Sequence, residues 1–487
     1  MKPKFQLLDD DLAERIITEA KIVLAEVGVE INDEQTRDLL ADNGAGVDGA
    51  DGRVRIGDSM VEAALDTTPL SFSLYNVLGD ETHHFDGTKT HFTPGSAAIN
   101  ILDRSSGEIR PAVTSDLVNL ARLVSGLENY QAQSTALVSS DVPEAISDSY
   151  RLFLNLLYCE KPVVTGAFSI EGFEVIRDLL LAVRGSADEL AAQPLAMVTC
   201  CPTSPLRWTD EGSRNLMDCA RLGIPAEIVP VPLTGFMAPV TLVGTLIQHT
   251  AEVLSGVVIA QLVRPGTPLI FGGSPAIFDI RYETTPMGAV ETTMLTCAAA
   301  EIGRRIGLPT QGYIALSDSK ALDAQAGLET SMGATLAALT GIDNVSGPGM
   351  LDFESCQSLE KLVVDHEICR MTYRLSAGIE PREDFPSRPL FEELLAEKHL
   401  LIADHTRRHL RSELTFPGPV IDRTNRARWL EEGAATLGER AATEVDRIIG
   451  EFTPSRLGDD VRQQLEEVMT AAARAARMDE LPERSSG

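Results

Sequence analysis

A chain of 487 residues, 44% of them apolar, can bury a large core, and its length suits one barrel with extensions or two to three smaller domains. Lys and Arg number 42 against 72 Asp and Glu, a net charge of -30; a field of that sign repels phosphate backbones and anionic lipid, so neither nucleic acid nor a membrane is an expected partner. It favours a cationic ligand, or simply solubility.

Residues 1–88 read as an α+β extension. Amphipathic patterns over 11–27 and 33–43 predict helices, a Gly- and Asp-rich turn region covers 44–52, and strand-like pieces fall at 53–56 and 71–75. From His91 onward, apolar strand-like runs alternate with helical ones. The run 96–102 leads, past a turn at 103–107, into a helix opening at Thr114, whose Leu117, Leu120, Ala121 and Val124 share one face. Runs at 134–138, 162–168, 194–200, 225–231, 268–272, 309–316 and 344–347 follow, most introduced by Pro or Gly. Their helices are expected after Pro143, from a cap near Ser169, near Thr209 and after Pro239. The remaining ones start from Thr285 as cap with Pro286 at the first position, run from Asp323 to a stop at Gly341, and cover 357–376.

Eight such βα units within 89–378 predict an α/β protein built on a (β/α)8 TIM barrel. No GxGxxG follows the first strand, which removes the usual reason to prefer a dinucleotide-binding sheet. Residues 379–487 are expected to be a helical extension ending in a disordered tail from Asp479. The longest apolar run, 241–263, is interrupted by Gln248, His249 and Glu252 and reads as a buried helix, not a membrane span.

Seven cysteines (Cys159, Cys200, Cys201, Cys219, Cys297, Cys356, Cys369) lie scattered through apolar segments without metal-type spacing. The start, MKPKFQLLDDDLAERI, has no apolar signal core, so the expectation is a cytoplasmic protein with reduced thiols and no directly bound metal. His249 and His366 read as core histidines. His399, His405 and His409 crowd a late helix without an acidic or thiol partner at ligand spacing.

In a barrel, the loops after the strands line the mouth and carry the chemistry. Here they supply Phe92, Gly95, Phe168, Phe236, Phe278, Asp279, Tyr282, Tyr313, Ser317, Asp318, Lys320, Met350, Asp352, Phe353 and Glu354. Aromatic faces with a few carboxylates suit a quaternary ammonium, which has no N–H to donate and binds through cation–π contact. Lys320 raises the alternative of a barrel lyase or aldolase working through a Schiff base, although it sits in a polar turn and not in an apolar strand that would depress its pKa. A barrel that binds a quaternary amine without transferring anything is the other alternative.

The segments GSAAINILDRSSGEIRPAVTSDLVNLARL (95–123), GGSPAIFDIRYETTPMGAVET (272–292), SDSKALDAQAGLE (317–329) and HLLIADHTRRHLRSELTF (399–416) resemble the trimethylamine methyltransferase family. The resemblance spans nearly the whole chain. It implies a (β/α)8 barrel that moves a methyl group from a methylated amine to the cobalt of a corrinoid (cobalamin) carried by a separate small protein. That protein would dock on the barrel mouth. The chain contains only standard residues, so it is similar to the branch without pyrrolysine, whose activities include demethylation of glycine betaine and related quaternary amines.

The same resemblance places Phe92, Gly95, Tyr313, Met350 and Phe353 around the substrate. Ser317, Asp318, Asp323 and Gln325 match the family motif, as groups facing the corrinoid or as scaffold, and Tyr313 and Asp318 would position the reactants without acting as acid or base. The Arg evident at the mouth is Arg281, so a substrate carboxylate would need backbone N–H donors near Gly95 and Gly349. A homo-oligomer is expected, with the mouth left accessible.

Overall fold

The strands of this chain are short, and several begin directly after a proline, which has no N–H to leave unpaired at a strand's first position. A computed structural model of the chain describes residues 3–47 and 52–484. The middle of the Gly- and Asp-rich turn region and the last three residues of the tail lie outside the described residues.

The architecture is mixed α/β. Its central strands are β1 (His91–Thr93), β2 (Gln133–Ser134), β3 (Val163–Thr165), β4 (Ala196–Cys200), β5 (Ala226–Ile228), β6 (Leu269–Phe271), β7 (Gln311–Tyr313) and β8 (Asn344–Ser346). β2 through β6 pair in parallel, each with the next in sequence. β7 pairs in parallel with β8, and β8 in parallel with β1. Parallel bridges Phe92–Tyr130 and Phe271–Thr310 supply the two remaining links, so the pairings run in a closed cycle.

Each strand is followed by a helix: α1 (Thr114–Gly126), α2 (Glu144–Tyr158), α3 (Ile170–Arg184), α4 (Asp210–Leu222), α5 (Leu242–Val263), α6 (Val290–Arg305), α7 (Ala324–Thr340) and α8 (Leu359–Ser376). Side chains of Ser169, Thr209, Thr241, Asp323 and Ser358 cap five of these helices by accepting backbone N–H bonds of the first turn. α7 stops where expected, at Gly341 with φ of 83°, a left-handed position that a Cβ would strain.

Two expectations are corrected. The first central strand is His91–Thr93, not 96–102. Asn100–Leu102 instead forms a hairpin with Ile109–Pro111 and pairs in parallel with Cys356–Gln357, beside the loop after β8. α6 begins at Val290, not at Pro286. The intervening turn is held off the helix because Asp318 accepts from the Met287 and Gly288 N–H groups at 2.8 and 2.9 Å.

α5 is apolar enough to cross a membrane by length and composition, yet most of its length is buried inside the protein. The opening block explains this, because helices Asp10–Ile22, Glu34–Asp42 and Asp58–Thr67 all pack on it. That block is tied down further by Val29–Ile31, which pairs with Arg53–Arg55 and, in parallel, with Arg207–Trp208 after β4. The Trp208 indole N–H then donates to Ser255 on α5 at 2.9 Å. At the other end of the chain, helix Leu437–Gly450 packs on α8 and α1, and helix Asp459–Ala475 on α2 and α3. The tail is described as far as Arg484, which ion-pairs Glu466 at 2.6 Å and lies over the Phe153 ring.

Candidate active site

A cavity of about 360 Å3 opens at the carboxyl ends of the central strands. Ser96 and Ala97 line it after β1, Thr135 after β2, Gly166, Ala167 and Phe168 after β3, Thr199 to Cys201 at the end of β4, and Tyr313 at the end of β7. Its size and its mixture of apolar wall with a few polar groups suit a small organic ligand. A larger concavity of about 630 Å3 lies at the opposite, amino-terminal ends, beside Thr88, Asn129 and Tyr373. The arginines of that concavity, Arg374 and Arg382, already pair with Glu413.

Beneath the cavity floor a polar chain crosses the strand cycle. Thr93 Oγ1 donates to Asn344 Oδ1 at 3.1 Å, and Asn344 Nδ2 donates to Glu227 Oε2 at 3.3 Å. Thr199 Oγ1 donates to Glu227 Oε1 at 2.6 Å. Glu227 is fully buried. Burial pushes its carboxyl up to about 7 against the two hydrogen bonds, which favour the anion. Glu227 was not among the expected site residues, although an acid inside the apolar strand PAEIVP is a readable signal.

Tyr313 is buried and lines the cavity. Burial holds its phenol well above the ordinary value, and the neighbouring charges of Glu227, Cys201 and Glu354 add to the effect. Gly95 and Met350 are pressed together, since a Cβ at Gly95 would stand 2.2 Å from Met350 Cγ and 3.2 Å from Gly347 Cα. Phe92 is placed differently from these. It is fully buried edge-on against Tyr373 of α8, with ring centroids 5.4 Å apart, in the layer between strands and helices.

The loop after β8 carries Asp352, Phe353 and Glu354 at φ of 48°, 55° and 68°, three consecutive side chains in the left-handed region. The Lys320 ammonium sits 3.8 Å from the Phe353 ring centroid. It also donates to the Asp318 carbonyl at 2.7 Å, and it is more than half exposed. Burial pushes the Glu354 carboxyl to about 8, with Asp318 adding to the shift.

The SDSK…DAQ segment closes on Glu329. Glu329 Oε2 accepts from Ser317 Oγ at 2.6 Å and from the Asp318 N–H at 2.9 Å, and its Oε1 accepts from Gln325 Nε2 at 3.0 Å. Asp323 accepts from Gln325 N, Ala326 N and Ser319 Oγ. Burial raises the Asp318 carboxyl to about 6 even though two N–H groups and Lys320 favour its charge. These motif residues therefore bond chiefly to one another and to the turn before α6.

Arg281, the arginine expected at the mouth, is exposed and spends its guanidinium on Asp279 at 2.6 Å. The arginine that does line the cavity is Arg151, from the middle of α2. Asp148, Arg151 and Asn155 form a stripe at i, i+3 and i+7 of that helix. They bond to Phe168 N, to the Thr135 and Gly166 carbonyls, and to the Ser134 carbonyl respectively.

The chain belongs to the trimethylamine methyltransferase (MTTB) family, whose model matches residues 1–479. It is 26% identical over 447 residues to a trimethylamine methyltransferase of Desulfitobacterium hafniense, covering 92% of this chain and 90% of that one. It is 28% identical over 466 residues to a glycine betaine methyltransferase of the same species, covering 95% and 96%. The monomethylamine methyltransferase of Methanosarcina barkeri has a similar fold, with a TM-score of 0.51 over 97% of this chain and 88% of that one at 10% sequence identity.

Proposed function

We propose that this protein transfers a methyl group from a quaternary amine to the Co(I) of a corrinoid carried by a separate protein. The scaffold in this reading is a (β/α)8 barrel over 89–378, flanked by extensions at 1–88 and 379–487. The cyclic parallel pairing of the eight strands supports that scaffold. The observation that carries the functional reading is the cavity at the carboxyl ends of the strands, walled by Tyr313 and Phe168, in a chain whose relatives are methyltransferases.

The mouth around that cavity suits a flat, largely apolar group. Phe168, Phe236, Val240, Ile280 and Tyr282 are all exposed there, on the loops after β3, β5 and β6. Phe236 and Phe278 stack at 4.7 Å and give a preformed platform. Those loops would hold the corrinoid and its protein, and the face has to stay open in any homo-oligomer. When bound, the corrinoid supplies a strong nucleophile at cobalt.

The chain's own residues bind the amine, fix one N-methyl toward the mouth and keep water out. A quaternary ammonium departs as a neutral amine, so no side chain has to deliver a proton to the leaving nitrogen. Tyr313, with Gly95 and Met350 behind the wall, positions the ammonium. Asp318 holds the turn at Met287 and Gly288 that borders the mouth.

The test is single-turnover methyl transfer with purified protein, cob(I)alamin and a set of quaternary amines, followed by the spectral change to methylcobalamin. No change with any amine, despite ligand-induced thermal stabilisation, would leave a binding protein and overturn the transfer reading.

A further inference from the structure

Glu252 lies in the middle of α5, fully buried, and among the described residues no cation pairs with it. All of its bonds run to neutral groups. Its Oε1 accepts from Leu206 N at 2.7 Å and from Gln248 Nε2 at 3.0 Å, and its Oε2 accepts from Ser204 Oγ at 2.8 Å. Burial pushes the carboxyl up to about 7 against these three bonds, which favour the anion. An apolar side chain would pack at the same place without the cost of burying an acid, so the effect of Glu252 is to be sought in what its bonds hold.

They hold a turn in the loop after β4. Thr203 and Arg207 close that turn by exchanging backbone bonds, Thr203 N to the Arg207 carbonyl at 2.7 Å and Arg207 N to the Thr203 carbonyl at 3.1 Å. Inside it Leu206 stands at φ of 48°, a left-handed position that is unfavourable for a residue with a side chain, and the carboxylate on its N–H fixes it there. Residues on either side of the turn form the cavity wall: Cys200 and Cys201 before it, Thr209, Glu211, Gly212 and Asn215 after it. Gln248 extends the hold to the next loop. Its Nε2 also donates to the Met237 carbonyl at 3.1 Å, and Met237 follows Phe236, whose ring stacks on Phe278. One carboxylate thus ties the loops after β4 and β5 to the helix behind them.

We propose that Glu252 is a positioning residue for the cavity: through Leu206 and Ser204 it sets the loop after β4, through Gln248 the loop after β5, and ligand affinity depends on it although it touches no ligand. The inference rests on the methyl-transfer reading only in taking the cavity as the amine site; the hold on the turn stands on the geometry of Glu252. Without the carboxylate, Leu206 loses what fixes its backbone, and the wall at Cys201 and Thr209 is no longer formed before a ligand arrives. Part of the binding free energy then goes into ordering that wall. The step that follows, with ligand bound and wall ordered, is left as it was.

Cys201 gives a probe that needs no ligand, because it is exposed whereas the other six cysteines are buried. The full chain is treated with iodoacetamide, and alkylation at Cys201 is followed by mass spectrometry in the wild type, Glu252→Ala, Glu252→Gln and Val257→Ala. The last truncates a buried side chain of α5 and removes no hydrogen bond to the turn. Glu252→Ala should be alkylated about 10-fold faster than wild type. Glu252→Gln, whose amide keeps an acceptor for Leu206 N, should fall between the two, and Val257→Ala should match wild type despite its lower unfolding midpoint. Equal rates in Glu252→Ala and Val257→Ala make the acid a packing residue and overturn the proposal. If Glu252→Ala does not fold, Glu252→Gln and Ser204→Ala decide it by the same comparison. Calorimetry with tetramethylammonium and glycine betaine, and single-turnover transfer to cob(I)alamin, give the second readout. Glu252→Ala should bind about 10-fold more weakly, with a rate at saturating amine within about 2-fold of wild type. A rate at saturation that falls together with the affinity overturns the positioning role. No binding of either amine to the wild type sinks the amine reading, and the alkylation rates then decide the role of Glu252.

Discussion

Asn344 donates through Nδ2 to Glu227 Oε2 at 3.3 Å, tying β8 to β5 across the inside of the strand cycle. The acid has Thr199 on its other oxygen, so both oxygens are satisfied while the group remains fully buried. A buried acid with neutral partners is held near the point where it exchanges its proton, and the floor of the cavity takes its charge from that balance.

Glu227 should therefore make stability depend on pH. Burial, the main cause, lifts its folded pKa from 4.5 to about 7. A raised acid pKa means the folded state holds the proton more tightly. The associated stability is fully present below the unfolded pKa and is lost as pH rises through about 7. Glu227→Gln removes the titration but keeps a group able to bond Thr199 and Asn344. Denaturant unfolding at pH 5 and pH 8 is expected to show the variant gaining about 2.5 kcal/mol relative to wild type between the two. Parallel curves for the two proteins would remove Glu227 as the titrating group.

Gly95 should tolerate no side chain at its own cost. Its Cβ would meet Met350 Cγ at 2.2 Å and the Gly347 backbone at 3.2 Å, and the first contact can relax only by moving a fully buried Met350. Gly95→Ala is expected to lose about 1–3 kcal/mol by overpacking. Met350→Ala in the same chain should return part of that loss, as read by thermal unfolding of the two single variants and the double variant.

Asp318 should act through the turn before α6. Its two oxygens accept from the Met287 and Gly288 N–H groups, and an amide in its place presents a donor to one of them. Asp318→Asn is expected to cost about 1–3 kcal/mol and to raise hydrogen exchange at Met287 and Gly288 selectively. Uniformly unchanged exchange at those two amides would contradict the assignment.

The alternation of strands and helices was legible because Pro-initiated apolar runs and capped helices repeat through the chain. Ser169, Thr209 and Asp323 cap helices where expected. β1 was misplaced because SAAINIL carries a stronger apolar signal than the three residues of His91–Thr93, and only pairing to β8 singles out the shorter piece. Glu227 and Arg151 were passed over for a shared reason: each is a charged residue on an inward face, and periodicity ranks inward faces by how apolar they are. The Asp148, Arg151, Asn155 stripe was the available clue, since three polar residues at helical spacing in a buried helix must bond to something.

Asp323 gives the sharpest separation of scaffold from chemistry within the SDSK…DAQ segment. Its carboxylate accepts from Gln325 N at 2.9 Å and Ala326 N at 3.2 Å, the N-cap of α7. Hydrogen bonds from Ala326, Ser319 and Gln325 hold its pKa below the ordinary value. Asp323→Ala should lower the unfolding midpoint, and Asp323→Asn should recover most of the loss because Asn caps as well as Asp. If the residue is only a cap, the rate of methyl transfer under saturating amine should follow stability and stay close to wild type in Asp323→Asn. A rate that collapses in Asp323→Asn while its unfolding midpoint is unchanged would place the carboxylate charge itself at the reaction, because the amide keeps the cap and removes only the charge.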